Sequence, residues 1–395
     1  MSGRPVRVPV DPALLDDVLA AAVAAGHVPH VVALVADADG PVYTGSAGPA
    51  GLDSLFRIAS MTKIVTTAAA LQQAERGRLH LDAPVATYLP QFADLRVLDG
   101  FDGDTPGLRP PRSLATVRRL MMHTAGLGYW FWDAGLARWH RVTGTPTVAS
   151  GRAEALTAPL VADPGSRFDY GVATDWLGLV VEAVAGQPLD RYVEEHLTGP
   201  LGMASTSFHP DDALRARLVP VHRRREDGGW RVSSFDWSRT PDWWSGGHGL
   251  YSTPRDVAVL QRALLRGGEV DGVRILAEPS VQLAFTPPIS GLTMPARIAT
   301  ADPRTSADAE LGPGLAWGLG LLVSTLDRTG PAGGRTGRAA GSGGWAGIFN
   351  TFYWVDRRHG ITAAVYTQTL PFLDPGPAAT AAAFETAVYR ALDGR

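Results

Sequence analysis

Five stretches of the chain alternate or run apolar with the period of β-strands, and they lie toward its two ends. His30–Ala38 and Val42–Ser46 flank Asp39-Gly40, a hairpin signal, and Gly318–Ser324, Asn350–Val355 and Thr362–Thr367 follow far downstream. Helical periodicity fills the rest. Asp11–Ala25 predicts an amphipathic first helix, Ile64–Leu71 an alanine-rich buried one, and Ala378–Leu392 a closing helix. From about Leu79 to Trp244 the helical segments Ser113–Met122, Asp175–Ala185 and Leu189–Leu197 are separated by proline and glycine. This arrangement predicts an α/β (α+β) architecture. Residues 1–78 and 246–395 together build a sheet flanked by helices, and residues 79–245 form an all-helical insertion. Pro287–Gly314, rich in Pro, Thr and Ala, reads as a long surface loop.

Composition narrows the function. With 395 residues, 45% of them hydrophobic, and a formal net charge of −3, the chain has ample material for a core and no basic excess to hold nucleic acid. Its densest basic run, Arg223-Arg224-Arg225, is followed at once by Glu226 and Asp227 and reads as a solvated loop. The absence of cysteine excludes disulfides, thiol nucleophiles and cysteine-ligated metals. The scattered histidines form no H-E-x-x-H pair, so neither a metal nor a cofactor is expected. No apolar run reaches the roughly 20 residues a bilayer span requires. The first residues carry no apolar signal-peptide core, so the expected location is the cytoplasm.

One residue type is out of proportion. Of 36 basic residues a single one is lysine, Lys63, and it stands three residues after Ser60 in Ser60-Met61-Thr62-Lys63. Guanidinium stays protonated, whereas an ammonium loses its proton when desolvated, so lysine is retained where a base is needed. At i,i+3 on a helix the two side chains share a face, with Cβ atoms roughly 5–6 Å apart, within reach of a hydrogen bond. The pair reads as a nucleophile and its base.

Two other segments carry candidate chemistry. Tyr170 ends an irregular stretch just before a helix. A tyrosine near an ammonium and a serine can exchange the serine's proton with a leaving group, though a half-buried tyrosine with no such role has the same local sequence. The run Gly341-Ser342-Gly343-Gly344-Trp345-Ala346-Gly347-Ile348 would let a substrate carbonyl approach strand N–H groups, or would form a flexible loop.

Taken in order, these motifs resemble the family VIII carboxylesterases, serine hydrolases with the fold of class C β-lactamases and penicillin-binding proteins. The match includes Ser60-Met61-Thr62-Lys63, Leu120–Trp130 with its His-Thr-Ala-Gly-Leu-Gly-Tyr, Tyr170 with Val172-Ala173-Thr174-Asp175, Pro200-Leu201-Gly202-Met203, Gly246–Thr253, and Gly344-Trp345-Ala346-Gly347. The resemblance implies an antiparallel sheet of the β-lactamase/transpeptidase-like fold. It implies Ser60 as acylated nucleophile, Lys63 and Tyr170 as a coupled acid–base pair, and the N–H groups of Ser60 and Ile348 as an oxyanion hole. By the same resemblance Tyr129 and Trp130 wall the substrate pocket, and His123 braces the loop that carries them. Family β-lactamases have Asn where this chain has Val172, and Lys-Thr-Gly where it has Trp345-Ala346-Gly347. Both changes remove groups that would hold a β-lactam. His248 stands where the family commonly has a small residue.

Seven of the eleven tryptophans, Trp130, Trp132, Trp139, Trp230, Trp237, Trp243 and Trp244, fall in two short stretches of the helical region. They suit an apolar gorge for bulky acyl or alcohol groups, with Trp139, like Trp176 elsewhere, assigned to the core. The expectation is an esterase of small-molecule carboxylic esters working through an acyl-enzyme on Ser60. The alternatives are an acyltransferase or amide-forming enzyme and, less favoured, a β-lactamase or D,D-peptidase.

Overall fold

Strand β1 (Val31–Asp37) is buried along its whole length, so both of its faces must be covered. The computed structural model, which describes residues 10–287, 292–329 and 336–393, has it deep inside a seven-stranded sheet. The other strands are β2 (Pro41–Ala47), β3 (Leu315–Trp317), β4 (Leu322–Ser324), β5 (Gly343–Gly347), β6 (Thr351–Asp356) and β7 (Ile361–Tyr366). Their order is β3-β4-β5-β6-β7-β1-β2, antiparallel at every pairing. The two ends of the chain meet where Val32 pairs with Tyr366 and Asp37 with Ile361.

The period-two pattern of β1 divides two cores. Val31, Ala33 and Val35 face Leu15 and Leu19 of α1 (Pro12–Ala24) and Phe384 and Val388 of α5 (Pro375–Asp393). Val32, on the opposite face, joins the larger core with Ile64 and Val65 of α2 (Thr62–Glu75), Val180 of α3 (Ala173–Ala185) and Leu260 of α4 (Pro254–Leu265). Helix α2 is buried on all sides from Thr62 to Gln73, as its unbroken Ile-Val-Thr-Thr-Ala-Ala-Ala-Leu run requires.

The expected helices are present. Of the expected Ser113–Met122 only Val117–Met121 is helical, with Thr116 as its N-cap. The stretch between residues 79 and 245 carries two short ribbons besides its helices, Val97–Asp102 with Thr105–Arg109 and His222–Arg224 with Trp230–Val232. The second ribbon contains the arginine run, and Arg224 is not free in solvent: its guanidinium binds Asp374 at 2.6 Å and lies over the Trp230 ring. Gly318–Ser324 is two elements, since Gly318 and Leu321 close a turn between β3 and β4. Within Pro287–Gly314, part of which lies outside the described residues, Arg297–Ile298 pairs with Ala309–Glu310.

The glycine run is a strand. β5 pairs with β4 on one side and β6 on the other, Gly343 opposite Val355 and Gly347 opposite Thr351. A Cβ on Gly343 would meet the Phe285 ring at 2.7 Å, one on Gly344 the Trp354 Cα at 2.9 Å, and one on Gly347 the Ile58 carbonyl at 2.6 Å. Glycine is there because neighbouring groups press on the strand, not because the chain needs to flex.

Candidate active site

Ser60 lies on a 3-10 turn (Ala59–Met61) that runs directly into α2. Ala59 before it has φ 45°, a left-handed backbone that a non-glycine residue adopts at a cost of about 1–3 kcal/mol. Packing of Ala59 against Val221, Phe349 and Leu370 holds it there. The close approach of Gly347 to Ile58 brings the end of β5, and therefore Ile348, against the same turn.

Lys63 is 1% exposed, and its Nζ donates to Ser60 Oγ at 3.2 Å, Tyr129 Oη at 3.1 Å and the Gly247 carbonyl at 2.9 Å. Burial drives its pKa down to about 7, opposed by the negative charge of Asp175. Only the carbonyl among the three partners is confined to accepting. A neutral amine here can donate to Gly247 and Tyr129 and receive the hydrogen of Ser60.

Tyr170 closes the other side of Ser60. Burial pushes its phenol well above the ordinary range, against hydrogen bonds with Ser60 and Trp345 that pull it back. The Trp345 indole N–H donates to Tyr170 Oη at 2.6 Å, and Lys63 Nζ lies 4.8 Å from the centre of the Tyr170 ring. The loop carrying Tyr170 is fixed from behind. Gly171 N–H donates to His123 Nδ1 at 3.3 Å, and Asp169 N–H donates to the His123 carbonyl at 2.8 Å. Burial holds His123 well below its usual pKa, so the ring is neutral and Nδ1 is free to accept.

The expected pocket residues divide. Trp130, Trp345, His248 and Ile348 are partly exposed, whereas Tyr129, Val172, Ala346 and Gly347 are buried. Tyr129 is therefore more than a wall, because its hydroxyl is a direct partner of the lysine. Val172 packs beside Trp130, Leu127 and Val148 at the head of α3. His248 turns inward, with Nδ1 2.6 Å from Ser245 Oγ, while Trp237 covers its ring at 4.8 Å. The tryptophans also split. Trp132 lies 5.6 Å from Tyr170, but Trp230 donates to the Gly26 carbonyl, Trp244 packs on Phe208 and His209, and Trp139 and Trp176 fill core positions.

Sequence reasoning missed two residues. Trp317 on β3 packs against Tyr170, Trp345 and His123 at 5.5, 4.6 and 4.9 Å. Its position in a glycine-flanked run gave no sign of this. Asp175, two residues into α3, is fully buried, and its negative charge acts on the lysine. Among the described residues no group of three or more His, Cys, Asp or Glu side chains is placed to hold a metal ion, and no helix is long and apolar enough to cross a membrane.

An antiparallel sheet between helices, with a serine and lysine one turn apart at the start of a buried helix, has the β-lactamase/transpeptidase-like fold and defines a serine hydrolase or acyltransferase. The chain belongs to the Beta-lactamase family, which it matches over residues 15–388. It is 31% identical over 374 residues to a lovastatin esterase of Penicillium rubens, covering 88% of this chain and 90% of that one. It is likewise 31% identical over 356 residues to a monacolin J acid methylbutanoyltransferase of Aspergillus terreus, covering 86% and 83%. Among solved structures it superposes on a simvastatin synthase mutant from Aspergillus terreus with a TM-score of 0.83 and 28% identity, over 97% of this chain and 96% of the other. Relatives of both kinds, esterases and acyltransferases, act on small molecules.

Proposed function

We propose that the protein hydrolyses carboxylic esters of small to bulky apolar molecules through an acyl-enzyme on Ser60. The observation that carries this reading is the buried Lys63 amine, 3.2 Å from Ser60 Oγ, with its pKa lowered by burial to about 7. Neutral Lys63 takes the Ser60 proton as Oγ attacks the ester carbonyl carbon. The negative oxygen that forms is received by the N–H groups of Ser60 and Ile348. Tyr170, hydrogen-bonded to Ser60, passes the proton to the departing alkoxide, and water then releases the acid by the reverse sequence. Lys63 and Tyr170 titrate as one coupled unit. Trp345 supports an ester over a β-lactam: the side chain at that position of β5 is an indole engaged with Tyr170 and carries no cation for a carboxylate.

The purified protein is expected to release nitrophenol from p-nitrophenyl butyrate, with Ser60→Ala slower by about 10^4-fold or more. Wild type inert toward a broad panel of esters, or a Ser60→Ala variant of undiminished rate, contradicts the proposal. Acyl transfer is the second reading. It is supported by the methylbutanoyltransferase relative and by the aromatic rings of Trp132 and Trp345 packed on Tyr170, which limit water there. Product analysis with competing alcohols and amines separates the two, since hydrolysis alone with every acceptor counts against transfer.

A further inference from the structure

We propose that the buried carboxylate of Asp175 is a positioning residue for Lys63: it fixes Gly247, the residue whose carbonyl holds Nζ, and its negative charge sets the strength of the base. The inference rests on the reading of Lys63 as the base of Ser60.

Asp175 is 0% exposed, yet it meets no arginine; the one basic side chain at ion-pair distance from it among the described residues is His248, 3.6 Å from Oδ1. Oδ1 accepts from Gly247 N–H at 3.0 Å and from the Ser245 hydroxyl, while Oδ2 is buried without any hydrogen-bond partner. The Ser245–His248 turn is strapped between two helices. From α2, Thr66 Oγ1 donates to the Gly246 carbonyl at 2.7 Å, and Lys63 Nζ donates to the Gly247 carbonyl at 2.9 Å. On the α3 side a Cβ at Gly247 would stand 2.5 Å from Asp175 Oδ2, so only glycine lets the turn lie this close.

An asparagine would accept the same two hydrogen bonds without the penalty of burying a charge. The charge itself therefore calls for a role, and the amine held by the carbonyl of that same Gly247 supplies it. The other titratable groups around Lys63 are Tyr129 and Tyr170, both pushed up by burial, and His123 and His248, both pushed down by burial, His248 to about 4. Near neutral pH these four are uncharged, and the negative charge that opposes the burial of the lysine is that of Asp175. Without it the amine would hold its proton less well and be a weaker base toward Ser60.

The single lysine makes the test direct. Incorporation of lysine labelled with 13C at Cε gives one titrating resonance in the full chain. The expected midpoint is near 7 in wild type and lower in Asp175→Asn, because the negative charge that opposes the burial of the amine is removed. Ser245→Ala, which keeps the charge and removes one donor, should not lower the midpoint. In ester hydrolysis the acid limb of kcat/KM should follow the resonance, with kcat reduced and KM little changed. An unmoved midpoint in Asp175→Asn overturns the proposal, as does a fall in Ser245→Ala or a wild-type midpoint near that of free lysine. If Asp175→Asn does not fold, the Ser245→Ala and wild-type midpoints still decide. A shifted midpoint in a protein inert toward esters sustains the inference and discards the hydrolase reading; an unmoved midpoint with ester turnover intact does the reverse.

Discussion

Lys63 is a base only because the fold leaves it without water. Its pKa near 7 predicts that kcat/KM for an uncharged ester rises with pH through about 7, as the amine loses its proton, and levels off above it. A pH profile with no inflection between about 6 and 8 would contradict this. The same depression has a stability consequence of definite sign. Between the ordinary lysine value and about 7 the unfolded chain binds a proton that the folded chain does not, so stability falls as pH drops through that window and the cost is complete below it. Lys63→Met is therefore expected to be inactive yet to melt higher than wild type at pH 6, with the gap narrowing toward pH 10; a variant melting lower at both values would be the contrary result. Tyr129→Phe removes a hydroxyl from the amine and should lower kcat roughly ten- to a hundredfold in steady-state assays. At this scale the sequence was readable where a residue type was out of proportion, as with the solitary lysine. It was silent on Asp175 and on the Tyr129–lysine contact, because a hydrogen bond 66 residues apart leaves no local pattern.

The elements set the site by close approach. Gly171 lies so near the Leu127 carbonyl and the Gly128 backbone that a methyl group there has no room. Gly171→Ala should displace Tyr170 and lower kcat about 10^2-fold, the effect expected of a misplacement near 1 Å, with the circular dichroism spectrum unchanged. Activity equal to wild type would mean that the loop relaxes without moving the phenol. Apolar periodicity located β1, β2, β6 and β7 within a residue or so because their buried faces dictate it. It failed for β5, since a strand of glycine, tryptophan and alanine has the composition of a loop. What selects glycine in β5 is Trp354 on the next strand together with the Phe285 ring and the nucleophile turn, both distant in sequence.

Across the whole molecule, the two ends of the chain lock each other. Helices α1 and α5 share one core over the sheet, and α5 is tied to the segment before β5 by Glu385, which binds Arg338 at 2.9 Å with both side chains largely buried. Breaking this pair leaves an uncompensated buried charge, so Glu385→Ala should destabilise the protein by about 3–5 kcal/mol in denaturant unfolding. A loss under about 1 kcal/mol would mean that the pair acts as an exposed one. The assembly of one sheet from distant segments was legible in the placement of strand-like runs, and the ordered motifs from Ser60 to Gly347 made the family legible as well. The division of the tryptophans between site and core was not, because burial depends on which helices meet.

Acylation of Ser60 during turnover can be measured directly. Intact-mass measurement after incubation with a fluorophosphonate, followed by peptide mapping, addresses it without knowledge of the natural ester. One adduct is expected, on the peptide containing Ser60, absent in Ser60→Ala and slowed in Lys63→Met; an adduct on another side chain, or equal labelling of Ser60→Ala, would contradict the assignment of Ser60 as nucleophile.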